Sequence, residues 1–250
     1  MTNRYPENSI LRKRLHDWYL SSKGLKLREL EATYLAHAID VSYKQTVLQI
    51  GVLGWESLFV DMRCFQNYFV VDQSYFDDVS AKKVKGKFSE LPFASESADL
   101  VIMPHSLEFE SDQHQAIREI ERVLKPEGKL LLLGFYPWSI SRCYYGVPGR
   151  KNLLPWSGSF ISRFRVQDWL GLLNFEVDLN TSFFFNSSRV VRHIFGVGLS
   201  DFFAVGYAIT ATKRLYNIIP LKPVLVARPR FSAIEVAETT YHRTANEKHC

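Results

Sequence analysis

A doubly wound α/β fold with a mostly parallel, seven-stranded sheet is predicted by three observations. Strand-favouring runs alternate with helical periodicity along most of the chain. Leu130–Leu133 is continuously apolar, as expected of a parallel strand covered on both faces. The stretch Leu91–Gly134 reads as strand, crossover helix, strand, a unit that crosses over right-handed in nearly all proteins.

Taken in order, Asn8-Ser9 can cap a helix whose stripe is Ile10, Leu11, Leu15, Trp18 and Tyr19 and which ends near Gly24. A second helix is expected over 25–39, with Leu27, Leu30 and Tyr34 facing inward. Thr46–Gly51 is the first strand, followed by the turn Gly51-Val52-Leu53-Gly54 and a helix from about Trp55. Tyr68–Asp72 is the second strand, and Val84–Phe88 a short third. Ala98–Met103 is the fourth. Ser111 or Asp112 can then cap a helix carrying Ala116, Ile117, Ile120, Val123 and Leu124 on one face. Lys125-Pro126-Glu127-Gly128 stops that helix, because proline cannot continue it and glycine supplies the turn. After the fifth strand, residues 135–162 read as irregular. A helix over 166–173, a sixth strand over 175–179, a short helix around 190–195 and a seventh strand over 203–212 complete the domain. The expected division is 1–44 as an N-terminal helical cap, 45–215 as the main domain, and 216–250 as an extension ending in a disordered, polar tail. The two leading helices suit either a cap or a dimer face.

Bulk properties narrow the function. A hydrophobic fraction of 46% is ordinary for a globular protein. No apolar run is long enough to span a bilayer, and the charged residues at 12–17 interrupt anything resembling a signal peptide. Three cysteines form neither a framework nor a CxxC pair, so a reducing, cytoplasmic setting is expected. The net charge of +5 is uneven: no acid occurs between Gly134 and Asp168, where Arg142, Arg150, Lys151, Arg163 and Arg165 lie. A basic second half suits an acidic ligand, nucleic acid or anionic surface, or is a solvated face. His105, Glu108 and His114 match no common metal spacing, and no metal site is expected.

Two positions stand out for ligand binding. Gly51 and Gly54 after the first strand allow backbone to approach a ligand without a Cβ between them, although the same spacing also serves an ordinary tight turn. Asp72, an acid ending the second strand, can accept both hydroxyls of a ribose, or can cap or be solvated at the strand end.

LPF, then DLVIM, HSLEF and IREIERVLKPEGKLLLLGF, resembles the second half of a class I S-adenosylmethionine-dependent methyltransferase of the type 11 domain. The continuation through GFYPWS, LPW and FRVQDWLGLLNFEV is similar to a subgroup of small proteobacterial methyltransferases. The resemblance implies a Rossmann-like methyltransferase fold and S-adenosyl-L-methionine as cofactor. It implies that Gly51, Gly54, Asp72 and Gln73 line the cofactor, that Phe88 and Ser89 hold the adenine, and that His105 lies near the transferred methyl group as a catalytic residue. The chain departs from the family at Gln49, where an acid is usual, and at Lys87, where an acid often takes the adenine amino group. The aromatic and basic segment 135–156 is expected to cover the acceptor, and its composition suits a planar or anionic molecule or single-stranded nucleic acid. The acceptor itself, small or macromolecular, is not specified. The leading expectation is thus a methyltransferase. The alternative is a binding module that keeps the fold without the cofactor, and a nicotinamide-dependent oxidoreductase is a third reading that a second-strand acid suits.

Overall fold

The computed structural model describes residues 5–42, 44–73, 81–137, 159–184, 191–193 and 204–215, with side chains placed from Arg12 to Phe184 and again from Ala204 within those ranges. Most of the aromatic, basic segment after the fifth strand and the whole 216–250 extension lie outside the described residues.

The strands are β1 (Thr46–Ile50), β2 (Asn67–Asp72), β3 (Lys82–Lys85), β4 (Ala98–Pro104), β5 (Leu124–Phe135), β6 (Phe175–Phe183), β7 (Val191–His193) and β8 (Gly206–Lys213). They form one sheet in the order β3-β2-β1-β4-β5-β8-β6-β7. The ladder from β3 to β5 is parallel, and β8, β6 and β7 add antiparallel pairs. The doubly wound, mostly parallel architecture is therefore as the sequence predicts, with all seven expected strands. β7 is an addition at the edge: Val191–His193, within the stretch 190–195 expected to be helical, form a strand that pairs with Asn180–Ser182, while the rest of that stretch lies outside the described residues. An otherwise unpaired β6 edge and the β-branched Val191 favour pairing over a short isolated helix.

Alternation along the strands builds two cores. Leu130 and Leu132 of β5 join the face covered by α3 (Gln113–Val123) and α4 (Arg163–Leu172), packing with Ile117, Ile120, Val166 and Leu170. Leu131 and Leu133 join the opposite face, which is covered by α1 (Tyr5–Tyr19) and α2 (Ser22–Ala38) through Leu15, Leu27 and Leu35. Each such leucine or isoleucine, fully buried, contributes about 1.5–3 kcal/mol. The crossover helix begins at the aspartate predicted to cap it, where an Asp112 side-chain oxygen accepts from the Gln115 amide at 3.0 Å.

Some boundaries differ from expectation. The second helix starts earlier, because Ser21 caps it by accepting from the Gly24 amide. β3 ends at Lys85 rather than running to Phe88, whose ring turns into the core. No α-helix begins at Trp55. Only 3-10 turns over Glu56–Leu58 and Met62–Cys64 connect β1 to β2. The leading helices α1 and α2 therefore supply the layer on that face, rather than serving only as a cap.

One close approach in this framework yields a test. Gly134 pairs with Tyr207 across β5 and β8, and a Cβ there would lie 2.5 Å from the tyrosine ring. The Tyr207 hydroxyl donates to the Ile161 carbonyl at 3.0 Å in a buried position, so the ring cannot withdraw without losing that bond. Gly134→Ala should cost about 1–3 kcal/mol through overpacking, read as a lower urea midpoint at unchanged m-value.

Candidate functional site

The parallel strands β1, β2 and β4 all end at one edge of the sheet, and the ends of β1 and β4 are adjacent there. In an open α/β sheet that carboxyl edge is where ligands bind. The loop leaving β1 makes its turn with Gly51 at φ +93° and Gly54 at φ +82°, conformations that L-residues rarely adopt. The Gly51 amide donates to the Val71 carbonyl at 2.8 Å, tying the loop to β2.

The loop's other amides are held by carboxylates. Val52 N–H donates to Asp72 Oδ2 at 3.0 Å. Leu53 and Gly54 N–H both donate to Glu56 Oε1, at 2.7 and 3.2 Å. Gln49, where the sequence resemblance would expect an acid, is fully buried and donates to the same Glu56 oxygen at 2.9 Å and to the Gly51 carbonyl at 2.8 Å. Its own oxygen accepts from the Tyr68 hydroxyl at 2.6 Å. Glu56 was not singled out in the sequence. It places a carboxylate against the Gln49 amide and takes two loop amides, with a 3-10 turn over Glu56–Leu58 in place of a regular helix.

Asp72 closes β2 beside this loop and is buried. Its Oδ2 forms an ion pair at 2.9 Å with Arg12 Nη1 of α1, itself buried. Burial lowers the Arg12 pKa, and Asp72 and then Glu110 raise it in partial compensation. The guanidinium stands 5.3 Å from the centre of the Phe88 ring, a cation–π contact. It also reaches the loop: a Cβ on Gly51 would meet Arg12 Nη2 at 2.2 Å. One turn further along α1, His16 Nδ1 lies 3.0 Å from the Leu53 carbonyl oxygen, and a Cβ on Gly54 would be 2.5 Å from the His16 ring. Gln73 donates to Glu110 Oε2 at 3.3 Å. Ser89 is half-buried beside Phe88, and Lys87 is exposed beside Glu90.

The expected residues Gly51, Gly54, Asp72 and Phe88 thus do gather at the mouth of β1 and β2. A glycine turn, a strand-end carboxylate and a buried aromatic face suit a ribose and an adenine. In this conformation, however, Arg12 occupies the ground between them. The donor set fits the cofactor that the fold implies only if the Arg12 side chain leaves Asp72.

His105, expected near the methyl group, follows β4 in a left-handed backbone conformation with φ 44°. Its amide donates to the Leu133 carbonyl at 3.0 Å. Its side chain is buried. Nε2 is 3.0 Å from Glu31 Oε1, Nδ1 is 3.7 Å from Glu108 Oε1, and the ring stacks on Phe135 at 4.0 Å. Burial pulls its pKa down, but Glu31 and Glu108 more than reverse this and push it up to about 9. Glu31 accepts a second bond, from the Tyr19 hydroxyl at 2.8 Å, and Glu108 accepts from the Phe135 amide at 2.9 Å. A histidine held protonated has no lone pair with which to take a proton. His105 thus stands clamped between two carboxylates with its ring buried against Phe135, and its raised pKa makes it a poor proton acceptor in this arrangement. No sequence signal pointed to Glu31, which comes from α2. His114 is elsewhere, tilted against Trp169 with ring centres 3.7 Å apart.

Comparison with known proteins bears on the fold that carries this geometry. The methyltransferase domain family of type 11 matches residues 60–132. Over 87 residues the chain is 39% identical to the uncharacterised Escherichia coli (strain K12) protein YafS, covering 35% of this chain and 36% of that protein. Over 97 residues it is 31% identical to malonyl-[acyl-carrier protein] O-methyltransferase 1 of Coxiella burnetii, covering 38% and 33%. The chain thus spans about a third of the length of these curated relatives. The fold extends further. A crystal structure of an S-adenosylmethionine-dependent methyltransferase from Thermotoga maritima superposes with a TM-score of 0.58 at 20% identity, covering 79% of this chain and 93% of that one. The chain therefore carries the class I S-adenosylmethionine-dependent methyltransferase fold, with a methyltransferase-domain sequence at its centre.

Proposed function

We propose that the protein binds S-adenosylmethionine at the carboxyl ends of β1 and β2 and transfers its methyl group to an acceptor held beyond β4 and β5. The observation that carries this reading is Asp72. It is a buried strand-end carboxylate that already accepts the Val52 amide and sits against a loop with two glycines at positive φ. In this reading Asp72 accepts the ribose hydroxyls, Gly51 and Gly54 let the backbone approach, and Phe88 with Ser89 borders the adenine. Gln73 stands at the same edge, where Glu110 now holds it. The bound cofactor would supply a sulfonium methyl, electrophilic without further activation. The chain's part is then to hold the acceptor in line, and positioning of that kind can supply most of the rate. His105 acts at a distance: with Glu31 and Glu108 it fixes the floor under Phe135. Selection of the acceptor is assigned to the segment after β5, whose aromatics and arginines suit a planar or anionic molecule, small or macromolecular.

Calorimetric titration with S-adenosylmethionine and with S-adenosylhomocysteine tests the reading. Binding in the micromolar range supports it. Absence of both heat and thermal shift at millimolar ligand sinks it and leaves the binding-module alternative. In an Arg12→Ala background, where no cation competes for the carboxylate, Asp72→Asn keeps one acceptor and removes the charge, so affinity for S-adenosylhomocysteine should fall about ten-fold, the difference between a charged and a neutral hydrogen bond.

A further inference from the structure

Helix α1 does something that a passive covering layer need not do. At i and i+4 spacing it presents Arg12 and His16 on the side that meets the β1 loop, while Leu15, Trp18 and Tyr19 anchor it in the core. The anchors are specific. Trp18 meets Phe135 edge-on at 6.3 Å, and Tyr19 packs on Trp55 at 5.7 Å. The guanidinium engages Asp72 and Phe88 and lies against Gly51, and the imidazole lies over Gly54. The contacts of Arg12 and His16 are therefore with Gly51, Gly54, Asp72 and Phe88, residues the proposed cofactor would need.

We propose that α1 is an internal gate on the cofactor site, in which the Arg12 guanidinium and the ribose of S-adenosylmethionine compete for the carboxylate of Asp72. This rests on the methyltransferase reading above and adds a regulated entry to it. A buried carboxylate left alone is costly, so Asp72 is paired in both states: with a cation when closed, with two hydroxyls when loaded. The two occupants cannot coincide. Cofactor affinity is then the intrinsic affinity scaled by the fraction of molecules in which Arg12 has left. The exposed face of α1 carries Lys13, Arg14 and Asp17, which gives the opened helix a polar surface.

The test has two arms on the full chain. Calorimetry with S-adenosylhomocysteine compares the wild type with Arg12→Ala and with Arg12→Lys, which keeps the charge. Hydrogen–deuterium exchange of α1 is followed in the wild type with and without the ligand. The gate predicts at least ten-fold tighter binding in Arg12→Ala, little gain in Arg12→Lys, and faster exchange across α1 when ligand is added. If the wild type binds while Arg12→Ala binds equally or more weakly, and α1 exchange is unchanged or slowed, the gate is overturned and the cofactor reading stands. If neither protein binds at millimolar ligand, the cofactor reading itself fails and the gate falls with it. Should Arg12→Ala not fold, the exchange arm on the wild type decides alone.

Discussion

Glu31→Ala should lower the unfolding free energy by about 3–5 kcal/mol, the cost typical of breaking a buried ion pair from one side. Glu31 is fully buried and holds two donors, the Tyr19 hydroxyl and the His105 imidazole. Truncation leaves the imidazolium with only Glu108, at 3.7 Å, and leaves a buried hydroxyl without its acceptor. The loss should appear as a lower urea midpoint. Glu31→Gln retains an acceptor for the tyrosine but not the charge, so it should fall between wild type and alanine. A loss below about 1 kcal/mol in the alanine variant would mean that water or a neighbouring group replaces the carboxylate.

Stability should also decline as pH rises from 6.5 to 9. The folded-state pKa of His105 is up to about 9, against about 6.5 for a free imidazole. A group whose pKa is raised on folding binds its proton more tightly in the native state. Its contribution is fully present below the unfolded pKa and is lost as pH passes through the folded one. A difference of that size is worth on the order of 3 kcal/mol. Urea denaturation at pH 6 and pH 9.5 measures it, and His105→Gln should flatten the dependence. An equally steep decline in that variant would assign the effect to other groups.

The two predictions concern a network that no stretch of sequence displays. Leu91–Gly134 was legible because its information is local: an apolar run, a capping aspartate, a helical period and a Pro-x-Gly stop each act within a few residues. Asp72 and the Gly51–Gly54 turn were legible for the same reason. The partners of His105 were not, since Glu31 lies 74 positions away and, by its pattern, belongs to the polar part of α2. Arg12 sits in the run LRKR, which reads as one polar side of a helix, and only the fold turns it toward Asp72. The missing helix after β1 has a comparable cause. Trp55-Glu56-Ser57-Leu58 has adequate helix propensity, but only a 3-10 turn forms there before the chain returns to β2, a choice set by tertiary packing rather than by local preference. The edge strand β7 forms because β6 presents an unsatisfied backbone to it.

The carboxylates under the β1 loop also determine which kinds of nucleotide this edge can admit. A dinucleotide loop works as an anion trap, with free amides and a helix terminus turned toward a pyrophosphate. Here Val52, Leu53 and Gly54 donate instead to Asp72 and Glu56, and the helix that would lend its dipole is absent. Once Arg12 has left Asp72, a diphosphate arriving at this turn would find its donors already satisfied and two acids nearby, so nicotinamide and flavin dinucleotides are electrostatically disfavoured in the open state. A nucleoside that carries a positive sulfur and no phosphate meets no such repulsion. Gln49, where the sequence resemblance would expect an acid, is thus accompanied by an acid at Glu56, which keeps a negative charge at the turn.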